Sequence, residues 1–362
     1  MLSVFRPAAG KTLRTLSTFS ARSKACYYSP FLRSVSLSRR VHIDTMAPIA
    51  VEDMIETLAV SKKSTGVSNG DTSKPTLARC DANDPATTTE LLVSIIERDG
   101  GVVVENLISK ELATQIKTEL KPYFDTDKVD PSGFFPHTTQ RATGLLARSD
   151  GCVQLAMNPT YIDIANKMIS STYTYWNGQQ QETVFSKPII SSTVGFRVNP
   201  GGRQQALHRD DGDYHTRNCD MPMMLGCVTA LTKTTAENGA TIAIPGSHLW
   251  GPDRCPYDHE AIPAELEPGD AFIFVGNLYH AGGANITKDQ ARETVGIFLC
   301  KPYYRPAENQ MLMVPPEKAK RLPPQAQRLL GYGISRPAVG FMEYQDPMRV
   351  LFGVEDEETV DM

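Results

Sequence analysis

The chain has 362 residues, of which 41% are hydrophobic and 22% are charged, proportions typical of globular proteins. No run approaches the roughly 18 consecutive apolar residues that a membrane-spanning helix needs, which argues against a membrane span. The formal net charge of −4 argues against nucleic-acid binding through a basic face. The seven cysteines are odd in number and include no C-x-x-C pair, so neither a disulfide framework nor a structural zinc site is expected.

The first 43 residues differ in composition from the rest of the chain. They contain eight basic residues, eight serines and no acidic residue, which leaves 29 basic against 41 acidic residues in the remainder. This composition is typical of a mitochondrial presequence. The alternative is that translation starts at Met46 and that the upstream residues are not part of the protein. The first alternative predicts a mitochondrial protein and the second a cytoplasmic one, and both leave residues 1–45 outside the fold.

The remaining sequence predicts one folded domain. Residues 46–76 include a polar stretch rich in Ser, Thr and Gly, and we interpret them as a flexible linker. Residues 77–353 show no second linker and no repeat, so they are expected to form one domain. The last residues, 354–362, form an acidic tail.

Helices are predicted in the first half of this domain. Apolar residues with helical spacing predict a helix over 88–98 that ends at Gly100. A short buried strand is predicted at 102–104. Ser109 is the predicted N-cap of a second helix that runs to about residue 123, and a third helix is predicted over 159–170.

From about residue 184 the pattern changes to short β-rich runs separated by turns rich in Gly and Pro. No helical pattern alternates with these runs, which disfavours a parallel βαβ sheet. Antiparallel strands in a sandwich or barrel, with the helices packed outside, are favoured. The predicted strands cover 189–198, 226–231, 240–244, 271–275 and 294–300.

A metal site is indicated by the sequence His208-Arg209-Asp210. Residues i and i+2 of a strand point to the same side, so the imidazole and the carboxylate can bind one metal ion together. His280 is the best third ligand, because it lies just beyond a predicted strand. Two histidines and one carboxylate form the facial triad of non-haem Fe(II) oxygenases. Alone, an H-x-D motif more often marks a salt-bridged pair on a surface strand than a metal site, because so short a motif recurs by chance.

The order of the motifs decides between these alternatives. After His208 and Asp210 come N-G-A-T-I-A-I-P-G-S-H at 238–248, then P-G-D at 268–270, His280 and Arg292. This order resembles the phytanoyl-CoA dioxygenase family of Fe(II)/2-oxoglutarate oxygenases, and within it the fungal branch that acts in natural-product pathways. The resemblance implies a mainly β fold with flanking α-helices, namely the double-stranded β-helix (jelly-roll, cupin-like) core.

The resemblance also implies roles for individual residues. His208, Asp210 and His280 correspond to the iron ligands. Arg292 corresponds to the arginine that binds the distal carboxylate of 2-oxoglutarate, although it also fits an ordinary ion pair with Glu293. The other implied co-substrate contacts are Thr241, Gln205 and Arg141, and Arg148 is an available substitute for Arg141. The implied cofactor is Fe(II), with 2-oxoglutarate and O₂ as co-substrates.

The implied activity is hydroxylation or desaturation of an apolar small molecule, with rearrangement as a further outcome in this branch. Two alternatives are a fatty acyl-CoA hydroxylase of primary lipid metabolism and a non-catalytic, cupin-like ligand-binding protein. The presence of all three metal ligands and of Arg292 argues against the non-catalytic alternative. Related fungal enzymes imply a homodimer.

Overall fold

The computed structural model describes residues 76–128, 135–214 and 222–361. The predicted presequence (1–45) and the predicted linker (46–76), apart from its last residue, lie outside the described residues. The chain divides into two units, Met1–Asp71 and Thr72–Met362, and all described residues belong to the second. Among the described residues, no helix is long and apolar enough to cross a membrane.

The described strands are β1 (Arg79–Asp81), β2 (Gly101–Glu105), β3 (Thr139–Thr143), β4 (Ser171–Asn177), β5 (Gln180–Ser186), β6 (Ile189–Val198), β7 (Met224–Ala230), β8 (Thr241–Ala243), β9 (Ile262–Pro263), β10 (Ala271–Val275), β11 (His280–Gly282) and β12 (Arg292–Cys300). The described α-helices are α1 (Thr89–Asp99), α2 (Lys110–Thr126), α3 (Asp150–Ala156), α4 (Pro159–Ile169), α5 (Gln310–Met313), α6 (Pro316–Ala319), α7 (Pro324–Leu329) and α8 (Pro347–Phe352).

The first helices begin directly after residues whose side chains cap them. The Thr88 side chain accepts a hydrogen bond from the backbone of Leu91 at the start of α1, and Gly100 ends the helix in the left-handed conformation (φ 86°). The Ser109 hydroxyl caps α2 in the same way. Helix α2 extends three residues beyond the predicted end, through Phe124, whose fully buried ring packs on Gly195 of β6. Tertiary packing therefore lengthens this helix.

The large sheet has seven strands in the order β1-β2-β10-β7-β12-β6-β3. All pairs are antiparallel except β1–β2 at the edge, so the prediction of antiparallel strands is confirmed for the core. Strands β6 and β10 begin and end at the predicted residues. The phenol of Tyr161, on α4, lies against the back of the sheet at 2.9 Å from the carbonyl oxygen of Leu225 and 2.8 Å from that of Ile297.

The small sheet has the order β11-β8-β9, and an antiparallel bridge between His208 and His280 adds one more extended segment beside β11. Both sheets contribute side chains to one cavity between them. Two antiparallel sheets around a common interior form the jelly-roll core of the double-stranded β-helix, so the predicted fold is confirmed.

Several parts of the fold were not predicted. Strands β4 and β5 form a separate hairpin, and strand β3 adds to the edge of the large sheet beside β6. The acidic tail forms ion pairs with two C-terminal helices, which join Arg328 on α7 to Asp356 (2.5 Å) and Arg349 on α8 to Asp361. A third ion pair joins Glu358 to Lys187, between β5 and β6 (2.6 Å).

Candidate metal centre and co-substrate cavity

The pairing of two distant segments brings the predicted metal ligands together. The backbone N–H of His208 donates to the carbonyl oxygen of His280 (2.9 Å), and the reverse bond is 3.0 Å long. The two imidazole centroids are 4.6 Å apart. Asp210 opens a 3₁₀ turn rather than continuing the strand, and its backbone N–H donates to the carbonyl oxygen of Gly276 (2.8 Å). The turn between β10 and β11 therefore holds Asp210 beside both histidines.

Hydrogen bonds on the far side of each ring fix which nitrogen faces the cluster. Nδ1 of His208 lies 2.8 Å from the carbonyl oxygen of Ala206, and Nδ1 of His280 lies 3.0 Å from that of Leu278. Because a carbonyl oxygen only accepts, both Nδ1 atoms carry the proton. In the neutral rings both Nε2 lone pairs therefore point at Asp210, each 3.5 Å from one of its carboxylate oxygens.

The protonation states favour metal binding. Burial lowers the pKa of His280, which keeps its ring neutral. Burial alone would raise the pKa of Asp210, but the neighbouring His280 and His208 outweigh it, and the net effect is a lowered pKa. The three side chains place two imidazole nitrogens and a carboxylate within 4.8 Å of one another, a spacing at which one cation can contact all three. Two imidazoles and a carboxylate are a donor set that fits Fe(II).

Arg292, the first residue of β12, is a buried cation in the same cavity. Its guanidinium is 4% exposed, Nη1 donates to the Thr294 hydroxyl (2.9 Å), and Nε has no acceptor. Burial lowers its pKa to about 10. No described carboxylate pairs with it. The alternative of a pair with Glu293 is excluded, because Glu293 binds Arg197 at 2.5 Å instead. A buried guanidinium without a counter-ion indicates an anionic ligand.

Gln205, Thr241 and Arg292 all lie next to one residue, Gly282. The Gln205 side-chain oxygen accepts from the backbone N–H of Gly282 (2.8 Å), and Thr241 is the register partner of Gly282 on β8. A Cβ on Gly282 would lie 2.8 Å from that oxygen, closer than the oxygen allows without moving, and at 3.7 Å would be in van der Waals contact with Nη2 of Arg292. The structure therefore brings these three predicted contacts to one place.

The structure does not bring Arg141 to the cavity. Its Nε lies 3.0 Å from a carboxylate oxygen of Asp127, and its guanidinium stacks on the ring of Phe135 at 5.0 Å. Phe135 lines the cavity, whereas Arg141 is not among the described lining residues. Its substitute, Arg148, stacks on Tyr123 at 4.6 Å and is likewise not among them. Arg141 therefore supports the wall from behind in this structure.

The cavity has a volume of about 320 Å³ and two chemically different ends. Arg292 and Thr294 mark the polar end, and apolar side chains predominate at the other end, where Ser192 is the register partner of Phe298. Strand β6 contributes every second residue to the floor, as expected for a strand with one face inside. The apolar lining residues are Phe135, Val194, Phe196, Val198, Met224, Val228, Phe274, Phe298 and Ala307.

Two glycines shape the apolar end. A Cβ on Gly226 would lie 2.9 Å from the rings of both Phe274 and Phe298, and one on Gly296 would lie 2.6 Å from the Phe298 ring. The Phe298 ring therefore lies against the sheet over these two positions. Sequence reasoning did not identify these residues, although the alternation along β6 and β12 is the signal that could have located them.

Comparisons with known proteins agree with this site. The model of the phytanoyl-CoA dioxygenase (PhyH) family matches residues 96–294, more than half of the chain. Dioxygenase swnH1 of Arthroderma benhamiae is 34% identical over 290 residues, covering 77% of this chain and 93% of the relative. Dioxygenase himG of Aspergillus japonicus is 32% identical over 310 residues, covering 80% and 95%. Among solved structures, the non-heme alpha-ketoglutarate-dependent carbocyclase SnoK has a TM-score of 0.48 and 16% identity, covering 63% and 90%.

The family match spans both metal-ligand segments and Arg292, and the two relatives cover nearly all of their own length. Both relatives are fungal dioxygenases, in agreement with the predicted branch. The chain therefore belongs to the phytanoyl-CoA dioxygenase family of Fe(II)- and 2-oxoglutarate-dependent oxygenases.

Proposed function

We propose that this dioxygenase holds Fe(II) with His208, Asp210 and His280 and binds the distal carboxylate of 2-oxoglutarate with Arg292. The observation that carries the proposal is the buried guanidinium of Arg292, which has no described acidic partner and shares one cavity with the three metal-ligand candidates. A dicarboxylate meets both requirements, since one end chelates a metal ion while the other neutralises an arginine.

The chain's own residues would position the co-substrate and shield it from water. The Thr294 hydroxyl accepts from Nη1 of Arg292 and so orients the guanidinium. Gly282 leaves the space in which Gln205 and Arg292 approach each other. Thr241 offers its hydroxyl from the opposite sheet. Fe(II) with bound 2-oxoglutarate and O₂ supplies the oxidising power for C–H cleavage, and the co-substrate leaves as succinate and CO₂.

The substrate proposed here is an apolar small molecule that enters over Phe298 and Phe274. Strand residues rise about 3.3 Å each, so six residues on β12 separate Phe298 from Arg292 by roughly 20 Å between Cα atoms. The substrate end and the co-substrate end of the floor are thus distinct. Hydroxylation or desaturation of an unactivated C–H bond in such an environment is the proposed reaction, because aromatic walls exclude water from the reacting carbon.

The pathway proposed is fungal secondary metabolism. Support comes from the fungal dioxygenases swnH1, himG and peniF, which are 32–34% identical to this chain. Two further predictions stay proposals. A homodimer is tested by light scattering coupled to size-exclusion chromatography. Mitochondrial import is tested by fusing residues 1–45 to a reporter, with a protein that starts at Met46 as the cytoplasmic control.

The test is an anaerobic titration of the Fe(II)-loaded protein with 2-oxoglutarate, followed through the visible charge-transfer band of the chelate. We expect a band in the wild type, no band in His208→Ala and a strongly weakened one in Arg292→Met. His259→Ala and Arg98→Ala are matched controls, because both residues are exposed and outside the cavity lining, and they should leave the band unchanged. A folded wild type without a band would overturn the proposed metal and co-substrate site.

A further inference from the structure

The loop at residues 245–250 contacts both chain segments that carry the metal-ligand candidates. Arg209 lies between His208 and Asp210 in sequence. Its Nη2 donates to the carbonyl oxygens of Ser247 (2.7 Å) and Trp250 (3.0 Å). The first of the two segments is thereby attached to the loop by a guanidinium.

The same loop holds the second segment through a serine hydroxyl. Oγ of Ser247 accepts from the backbone N–H of Tyr279 at 2.9 Å, and Tyr279 immediately precedes His280. Ser247 is fully buried. The guanidinium of Arg209 also stacks on the Tyr279 ring, 4.2 Å from its centroid. Thus Ser247 binds Arg209 through its carbonyl oxygen and Tyr279 through its hydroxyl.

We propose that Arg209, Ser247 and Tyr279, together called the Arg209 bracket, fix the separation between the His208–Asp210 segment and His280 and so set the affinity for the metal ion. The inference rests on the proposed function, since it assigns positioning residues to the same metal site. Partners behind the ligands tune metal sites in this way, and losing one typically costs 10- to 100-fold in affinity.

Charge and positioning predict opposite effects for Arg209. The guanidinium is a cation next to a dication site, so its removal by Arg209→Met should strengthen metal binding if electrostatic repulsion were its main influence. The bracket predicts the reverse, because the loss of two hydrogen bonds and one stacking contact lets the two ligand segments separate. The direction of the change in Kd therefore distinguishes the two explanations.

The experiment measures the Kd of Co(II) alone by isothermal titration calorimetry and records the visible d–d spectrum of the Co(II) protein, which reports ligand geometry. We expect Arg209→Met and Ser247→Ala to raise the Kd about tenfold and to change the band positions, with Arg209→Lys in between. One matched control should bind as the wild type does. Arg254→Met removes an arginine that stacks on the Trp250 ring and pairs with Glu260, outside the bracket.

Thermal melting of each metal-free variant shows whether it is folded at the titration temperature. If Arg209→Met is unfolded at that temperature, the Kd of Ser247→Ala tests the proposal. An unchanged or lowered Kd in the folded variants, with wild-type Co(II) spectra, would overturn the bracket while leaving the proposed function intact. A wild type that binds no Co(II) would overturn the proposed function and the bracket with it.

Discussion

Replacing Arg292 with Met should stabilise the protein while abolishing its response to 2-oxoglutarate. Burial lowers the pKa of Arg292 well below that of a free guanidinium, to about 10. At about 1.4 kcal/mol per pKa unit, the charged guanidinium costs the folded state about 3 kcal/mol. The sign follows from the lower pKa in the folded state: the cost is fully present at pH 7 and is relieved only as the pH rises above about 10.

The stability gain is smaller than this cost, because Met also loses the hydrogen bond from Nη1 to the Thr294 hydroxyl. Such a bond contributes about 1 kcal/mol, so the net gain expected is about 2 kcal/mol. In a domain of this size that raises the melting temperature of the metal-free protein by about 4 °C. Co-substrate binding changes in the opposite direction. Truncating one partner of a buried charge pair costs about 3 kcal/mol or more, which is roughly 100-fold in Kd.

The assay is differential scanning fluorimetry of the Fe(II) protein under anaerobic conditions, with and without 2-oxoglutarate, together with calorimetric titration of the co-substrate. A ligand that binds only the folded state raises the melting temperature with its concentration, and the variant should lose this rise. Arg197→Met is the matched control, because this arginine pairs with Asp125 (2.6 Å) and with the buried Glu293. Its loss should destabilise by about 3 kcal/mol and leave 2-oxoglutarate binding unchanged.

One pattern of results would refute this reasoning. If Arg292→Met were destabilised as much as Arg197→Met and the wild type showed no shift with 2-oxoglutarate, Arg292 would be a structural arginine whose charge is compensated inside the protein.

Three further substitutions test the framework of the cavity by urea unfolding. Gly296→Ala places a Cβ 2.6 Å from the Phe298 ring and should cost about 2 kcal/mol; an equal cost in a Phe298→Leu background would show that the ring is not responsible. Glu308→Gln replaces a carboxylate that accepts from the backbone N–H and the hydroxyl of Thr193 (3.0 and 2.9 Å), and it should lower the free energy of unfolding by about 2 kcal/mol. A loss below about 0.5 kcal/mol would show that these hydrogen bonds do not stabilise the fold. Tyr161→Phe removes the buried hydroxyl behind the sheet and should cost about 1 kcal/mol without altering 2-oxoglutarate affinity.

Local signals in the sequence determine the elements that were predicted well. The side chains of Thr88 and Ser109 cap their helices by accepting from a backbone N–H three residues later. Both partners of each hydrogen bond therefore lie in one short stretch of sequence, where they can be recognised. Strand β10 is entirely apolar, strand β6 is rich in β-branched residues, and turn residues flank both strands. The metal-ligand set was found because H-x-D and its following motifs occur in a family-specific order, not because the sequence encodes their distances.

Long-range contacts explain the parts that were missed or placed differently. Strand β3 is a polar segment whose extended form depends on its pairing with β6. The partners of Arg141 include Asp127, Phe135 and the carbonyl oxygen of Lys128, and no local rule decides between such partners and a ligand. The β4–β5 hairpin is a different case. Its turn is Gly178-Gln179, between the paired residues Asn177 and Gln180, with Gly178 at φ 60°. The Asn-Gly dipeptide at 177–178 is a hairpin signal that could have been recognised.

The arrangement of the floor explains how one site can combine a fixed co-substrate with a variable substrate. Arg292, Thr294 and Phe298 lie on the same face of β12 because a strand alternates its side chains. The chemistry of the floor therefore changes along one strand without any change of fold. A substitution at Phe298 or Gly296 alters the depth of the apolar end. Arg292 lies at the other end, where it donates a hydrogen bond to Thr294 and where Gly282 leaves room beside its guanidinium. Substrate size and co-substrate affinity should accordingly vary independently in this protein.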